Sequence, residues 1–322
     1  MKKAFKRVGI ALLLLIIFIF LNNTSTFVKN PKMEPILLAH RGMAQTFSME
    51  GIEWDTCTAK RINQPEHPYI ENTIPSIEAA FEAGADRVEF DIKRTKDNQF
   101  AVFHDFELSC RTDGAGAPAD YTMEELKKLD VGYGYTADNG QSFPFRGKGV
   151  GMMPSMAEVL AQFPEKEFLI HIKSNDAKDG ELLAKYLGEL SEEQQKLITV
   201  YGDNEPIEIL QAEMPELRMM SMDTMKSCMI PYLLLGWTGY IPGNCENSQI
   251  HLPEKYARFI WGWPDKFLQR MDSVNTKVVI VAGDGNWSEG FDQKVDLERL
   301  PANFFGEIWT NRIEAIAPEF NR

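Results

Sequence analysis

Basic residues are scarce in this chain relative to acids. Thirty-four Lys and Arg stand against 47 Asp and Glu, a formal charge of -13. Six of the 34 (Lys2, Lys3, Lys6, Arg7, Lys29 and Lys32) fall in the first 32 residues, where no acid occurs. The remainder carries 28 basic and 47 acidic residues, or -19. A surface this acidic repels a phosphate backbone, so no nucleic acid is expected as a partner. A small anionic substrate needs a locally positive pocket. Internal repeats and low-complexity blocks are missing, and no linker splits the chain after residue 35. The 322 residues, 44% of them apolar, suffice for one large domain or two ordinary ones. A single α/β barrel of about 250 residues fits once the N-terminal segment is set aside.

Cysteine is also rare: Cys57, Cys110, Cys228 and Cys245. An even number in an exported chain permits two disulfides in three pairings. Cys57–Cys110 with Cys228–Cys245 is the natural choice, since each pair lies in loop-like stretches. The alternative is four scattered small apolar residues.

One apolar run stands out. Val8–Leu21 is 14 uncharged residues behind a basic start. That is short for a free-standing span and suits the apolar region of a signal sequence. Asn22-Asn23-Thr24-Ser25-Thr26 follows, with no clear Ala-x-Ala cleavage site. Residues 1–35 are therefore read as a signal anchor or a signal peptide, and residues 36–322 as the functional domain. An anchor holds that domain outside the cytoplasm, with the membrane as a partner. Cleavage makes it secreted or periplasmic.

Past residue 35, short apolar runs alternate with helical segments, which argues for βα units and a parallel sheet. The strand candidates are Ile36–His40, Arg87–Lys93, Phe100–His104, Glu167–Lys173, Leu197–Tyr201, Leu217–Met222, Ala257–Trp261, Lys277–Ala282 and Glu307–Thr310. That count suits a barrel with a small extra hairpin. Thr73–Ala83, ending on Gly84, reads as a helix, and Thr122-Met123-Glu124-Glu125 as a capping pattern. Ser155–Phe163, Asp179–Leu190 and Glu205–Glu213 read as later crossover helices. Val131–Met153 has weak periodicity and reads as a long loop or insertion after the second barrel strand.

The chemistry-bearing residues follow from strand alternation. In Val88–Ile92, the apolar Val88, Phe90 and Ile92 share one face, and Glu89 and Asp91 the other. On an interior strand, two carboxylates about 6–7 Å apart repel, and a divalent cation between them removes that cost. The strand Glu167–Lys173 repeats the arrangement, with Leu169, His171 and Lys173 on one face. His171 is a candidate third metal ligand and Lys173 a candidate phosphate contact. His40 and His104 each close an apolar run, and the C-terminal rim of a parallel barrel carries the active site. Cutting a phosphodiester needs one group to take a proton and another to give one, and imidazole suits both near neutral pH. Arg41 adds a permanent bidentate phosphate donor. His67, in Pro65-Glu66-His67-Pro68, and His251, before Leu252-Pro253, read as structural.

Together these residues resemble the glycerophosphodiester phosphodiesterase family. The resemblance runs from Ile36 to about Asn311. It is carried by His40-Arg41-Gly42, Glu71-Asn72-Thr73, Glu89-x-Asp91, His104-Asp105, Arg111-Thr112-Asp113-Gly114, Glu125-Leu126…Leu129-Asp130, Pro154…Glu158-Val159-Leu160 and Trp309-Thr310. Any one of these is weak; their order and spacing together are strong. The resemblance implies an α/β fold, a phospholipase-C-like TIM (β/α)8 barrel. It implies His40 and His104 as the acid–base pair and Glu89 and Asp91 as metal ligands. Arg41 would hold phosphate, Asn72 and Lys173 would line the pocket, and Glu71 would support its neighbours. Trp309 would be an apolar wall for the glycerol or ordinary barrel packing. The implied reaction releases an alcohol and glycerol 3-phosphate from a small glycerophosphodiester with one divalent ion, Mg or Ca.

Two departures matter. The family usually has Glu at the first position of a Glu-Ile-Lys stretch, where this chain has His171-Ile172-Lys173. Nitrogen in place of oxygen favours Mn or Zn. A longer stretch than usual also separates His-Arg-Gly from Glu-Asn-Thr, and it includes Trp54, Cys57 and His67. Such a loop would sit over the pocket mouth, and a Cys57–Cys110 bridge would pin it. Two alternatives stand beside the main reading. One is a phosphodiesterase acting on intact lipids, like a phospholipase C or sphingomyelinase D, with Ile230–Trp237 against a bilayer; a packed helix is the plainer account of that segment. The other is a non-catalytic barrel that binds phosphorylated ligands.

Overall fold

The computed structural model describes residues 2–28, 34–53, 56–286, 289–302 and 304–322. Trp54 lies outside the described residues. Nine strands form one sheet: β1 (Ile36–His40), β2 (Arg87–Arg94), β3 (Phe100–Val102), β4 (Glu167–Ile172), β5 (Ile198–Gly202), β6 (Arg218–Met220), β7 (Gln249–Pro253), β8 (Lys277–Val281) and β9 (Glu307–Thr310). Eight of them run parallel in the order β6-β5-β4-β2-β1-β9-β8-β7. A parallel bridge between Met219 and Ser248 brings β6 to β7 and closes the ring. Helices cover the outside, as in a TIM barrel.

Two strand expectations need correction. Ala257–Trp261 is not a strand: Ala257 ends a short helix, Glu254–Ala257, and Phe259 is exposed. The barrel strand of this region is β7, Gln249–Pro253, the sixth of the eight. Its polar Gln249 and His251 interrupt the apolar run because they belong to the lumen side. The third run is also shorter than expected, and it is no barrel strand. Phe100–Val102 folds back antiparallel on β2, with Ile92 opposite Val102. His104 therefore reaches the rim by a returning hairpin; only His40 ends a barrel strand.

The insertion stands where it was expected, between β2 and β4. Residues 131–153 form turns around a separate small core that includes Leu108, Met123, Leu126, Tyr135, Phe145 and Met153. Thr122 and Glu125 make the expected capping box. Ser155 and Glu158 cap helix Met156–Gln162 in the same way.

The main core lies between sheet and helices. Val88, Phe90 and Ile92 of β2 and Phe168, Ile170 and Ile172 of β4 face outward into it. The Phe90 and Phe168 rings meet edge to face at 5.3 Å. Each such buried side chain contributes roughly 1.5–3 kcal/mol. The lumen has a polar floor. Arg87 is fully buried, ion-paired to Glu307, 3.3 Å from Gln249 Oε1 and 3.5 Å from Glu167 Oε2. Leu38, Leu169, Val279, Val281 and Trp309 form an apolar layer within the ring.

Both sequential disulfides are present, Cys57–Cys110 and Cys228–Cys245. The N-terminal apolar helix, Lys2–Asn23, is long and apolar enough to cross a membrane, and none of its residues is buried. Its last turn is tied to the barrel wall. Asn22 and Asn23 donate to the Trp237 carbonyl at 3.0 and 2.8 Å. Arg270 donates to the Asn22 carbonyl at 2.8 Å and to Asn23 Oδ1 at 3.1 Å.

Candidate active site

Alternation along β2 turns Glu89, Asp91 and Lys93 to the opposite side from the outer core. The pairing of β2 with β4 sets Asp91 beside His171. Asp91 Oδ1 and His171 Nδ1 are 3.1 Å apart. Ligand atoms of Glu89, Asp91 and His171 all lie within 4.8 Å of one another. Glu89 and Asp91 are wholly buried. Burial pushes the Glu89 carboxyl up, and the neighbouring Asp91 charge adds to the shift. Burial also penalises ionised Asp91, but Arg41, His104 and the bond from His171 outweigh it and hold Asp91 well below the usual carboxylate range. Two buried carboxylates and an imidazole, with ligand atoms this close, are donors that suit a divalent cation. The set is two oxygens and one nitrogen.

Tyr201 on β5 braces this group. Its hydroxyl donates to Glu89 Oε1 at 2.8 Å, and its ring stacks on His171 at 4.0 Å. His171 is held neutral, its pKa lowered to about 4, chiefly by burial.

His40 and Arg41 sit where β1 ends. The chain turns there with Arg41 at φ 61° and Gly42 at φ 75°. A Cβ at residue 42 would stand 2.8 Å from the Ser76 carbonyl carbon, so only glycine fits. The turn packs His-Arg-Gly against the start of helix Ile74–Glu82, which Thr73 caps. His40 Nδ1 is 2.6 Å from Asn311 Oδ1, and its Nε2 accepts from Arg41 Nε at 3.1 Å. Asn311 is itself fixed, since its amide donates to Asp292 Oδ2 at 2.9 Å. With that amide nitrogen committed to Asp292, Asn311 presents oxygen to His40, and the imidazole proton belongs on Nδ1. Burial, followed by Arg41, lowers the His40 pKa well below its ordinary value.

Arg41 Nη1 donates to Glu71 at 2.8 Å, and Arg41 Nε lies 3.2 Å from Asp91. Glu71 bridges to Arg111 at 3.0 Å, and Arg111 Nε lies 2.8 Å from Asp105 Oδ2. The other Asp105 oxygen meets His104 Nδ1 at 2.6 Å. Burial, then Arg41, lowers the His104 pKa to about 4. One chain of charges thus links the two histidines through Arg41, Glu71, Arg111 and Asp105. Arg111 also donates to Thr58 at 2.7 Å, beside the Cys57–Cys110 bridge.

Asn72, expected to line the pocket, spends its amide on Asp91: Nδ2 donates to Oδ2 at 2.9 Å, and Oδ1 accepts the Asp91 N–H at 3.1 Å. Its geometry is that of a positioning residue. Lys173 follows β4, and its charge acts on Glu89, Asp91, His104 and His171. Trp309 packs between His40 and His251, with ring centroids 4.6 and 5.5 Å away. Its indole N–H has no hydrogen-bond partner among the described residues. His67 is away from this group, bonded to Gln45 at 3.0 Å.

The residues match a known pattern along the chain as well as in space. A sequence model of the glycerophosphoryl diester phosphodiesterase family matches residues 40–235. The chain belongs to that family. It is 35% identical over 141 residues to a glycerophosphodiester phosphodiesterase of Caldanaerobacter subterraneus subsp. tengcongensis, covering 44% of this chain and 45% of the relative. It is 32% identical over 171 residues to the Bacillus subtilis enzyme of the same name, covering 49% of this chain and 57% of the relative. The chain thus spans about half the length of the curated relatives it matches. In fold it resembles the glycerophosphodiester phosphodiesterase of Agrobacterium tumefaciens, with TM-score 0.57 at 19% identity, covering 88% of this chain and 100% of that one. It also resembles an Oleispira antarctica phosphodiesterase solved with the product sn-glycerol-3-phosphate, with TM-score 0.57 at 16% identity, covering 89% and 97%.

Four residues of this family member's site escape a reading of the sequence: Tyr201, Asp292, Asn311 and Lys93; Asp105 and Arg111 stand in its motifs, but their link through Glu71 to Arg41 does not show there. Lys93 shares the lumen periodicity of Glu89 and Asp91, and that signal could have found it. Its ammonium donates to the Lys173 carbonyl at 2.9 Å and lies 3.4 Å from the centre of the Phe106 ring. Burial, followed by Lys173, brings its pKa down to about 7. His251 lies on β7, and its Nε2 is 2.7 Å from Gln249 Nε2.

Proposed function

We propose that the chain is a divalent-metal-dependent phosphodiesterase that hydrolyses small glycerophosphodiesters to an alcohol and glycerol 3-phosphate. The observation that carries this reading is the placing of His40 and His104. Both imidazoles are close enough to Arg41 and Asp91 to feel their charges, and each is oriented through Nδ1 by a different partner. Asn311 is neutral, so His40 is left as an acceptor at Nε2, which suits the base. Asp105 is a carboxylate whose hydrogen bond opposes the lowering of the His104 pKa, and the negative charge of a phosphodiester beside the ring adds to it, which suits His104 as the acid once substrate is bound. Arg41 and Lys173 bind and orient the phosphate, and Trp309 closes the side of the pocket. Glu89, Asp91 and His171 would hold the metal. When bound, the ion supplies positive charge to the phosphoryl oxygens and acidifies a hydroxyl or water. Mn or Zn fits the nitrogen-containing donor set better than Mg or Ca.

Residues 1–35 are proposed as a membrane anchor and 36–322 as the catalytic domain outside the cytoplasm. All four cysteines are paired, which supports an oxidising compartment. The test is a panel of glycerophosphodiesters assayed with metal-stripped and re-metallated protein. Release of glycerol 3-phosphate should vanish with chelator and in the His40→Ala and His104→Ala proteins. Unchanged hydrolysis in either variant removes that histidine from the mechanism.

A further inference from the structure

Helix Met222–Leu235 runs from the C-terminal end of β6 back along the barrel wall. Its last turns should carry polar residues outward if water covered them. Instead Ile230, Leu233, Leu234 and Leu235 are all exposed, Leu234 by 68%. The six residues Ile230–Leu235 include no charge. The patch continues onto the segment after β7. Trp261 Nε1 donates to the Leu233 carbonyl at 2.9 Å, and the Tyr232 hydroxyl donates to the Trp261 carbonyl at 2.8 Å. Phe259, two residues before Trp261, is 65% exposed. The Arg258 guanidinium lies 4.8 Å from the centre of its ring. An apolar patch rimmed by an indole and a guanidinium is the composition of a surface that meets lipid headgroups and acyl chains.

The position of the patch names its occupant. The stretch that follows Leu235 is Gly236-Trp237, and the Trp237 carbonyl is where Asn22 and Asn23 end the apolar N-terminal helix. Arg270 locks the same junction: it bonds Asn22, Asn23, the Gly236 carbonyl at 3.0 Å and Tyr232 at 2.9 Å. A helix that enters a bilayer therefore leaves it beside Ile230–Leu235, held by a buried arginine and not by a loose tether. We infer that the exposed end of helix Met222–Leu235, with Phe259 and Trp261, seats on the surface of the bilayer that receives the N-terminal helix. The inference rests on the proposed anchor.

The test uses the full chain in nanodiscs of phosphatidylcholine and phosphatidylglycerol, one chain per disc. A nitroxide label goes on Leu234→Cys, on Phe259→Cys, and on Lys148→Cys as a water-facing control in the insertion. Collision of the label with oxygen, which concentrates in lipid, is compared with collision with a water-soluble nickel chelate. Oxygen should dominate at 234 and 259, and nickel at 148. Nickel dominating at all three sites, in protein that stays with the disc, overturns the seating and leaves the anchor standing. Protein that fails to enter discs at all overturns both. Shielding that appears only with two chains per disc assigns the patch to a second copy and also overturns the inference.

Discussion

His40 Nδ1 stands 2.6 Å from Asn311 Oδ1, although 271 residues separate them. The contact fixes which nitrogen of the imidazole faces Arg41. Replacing Asn311 with Ala should lower kcat/KM by about tenfold to a hundredfold, the scale expected for loss of an orienting partner. Asn311→Asp places a carboxylate at Nδ1 and raises the His40 pKa, so the acidic limb of the kcat/KM profile should move to higher pH. A limb that stays in place in Asn311→Asp shows that His40 is not the titrating base.

Metal choice should follow the nitrogen of His171. Calorimetric titration of stripped protein is expected to give tighter binding of Mn or Zn than of Ca. His171→Glu restores an all-oxygen donor set and should shift the preference toward Ca and Mg. An unchanged order of affinities would take His171 out of the ligand set.

Stability of the metal-free protein should fall in acid. His104 and His171 have pKa values lowered to about 4, and His251 to about 3, each chiefly by burial. Unfolded histidines titrate near 6.5, so below that pH the unfolded chain binds more protons than the native one. The stabilisation is complete above about pH 6.5 and is lost as pH falls toward 4. Glu89 runs the other way: its raised pKa makes the native state hold a proton that the unfolded state releases, a penalty that grows as pH rises. A bound cation displaces that proton, so the rise in Tm on adding metal should increase from pH 5 to pH 8. Thermal melts with and without metal across this range measure both trends.

The Cys57–Cys110 bridge closes a separation of 53 residues beside the Thr58–Arg111 bond. Chain entropy alone assigns such a closure about 4 kcal/mol. The Cys57→Ser, Cys110→Ser protein should melt earlier and lose activity together, because Arg111 orients both Glu71 and Asp105. Lower Tm with full activity would show that the loop does not support the site.

Local pattern carried much of this molecule. The alternation Val88-Glu89-Phe90-Asp91-Ile92 shows which side chains share a face, because a strand repeats every two residues wherever it lies. The same rule placed His171 and Lys173 together, and the basic, then apolar, opening marked the N-terminal helix. The capping pattern at Thr122 announced its turn of helix for an equally local reason. Strand β7 was hidden because its lumen residues, Gln249 and His251, are polar and break the apolar run. The returning hairpin of β3 was hidden because direction leaves no mark on a three-residue strand. Pairing across the sheet is a different kind of information. The register that puts Asp91 beside His171, the reach of Asn311 to His40, and the run of charges from Arg41 through Glu71 and Arg111 to Asp105 join segments far apart in the chain. Those contacts exist because the ring of strands closes and leaves one small, buried space for every inward side chain, and nothing in a neighbouring residue encodes that closure.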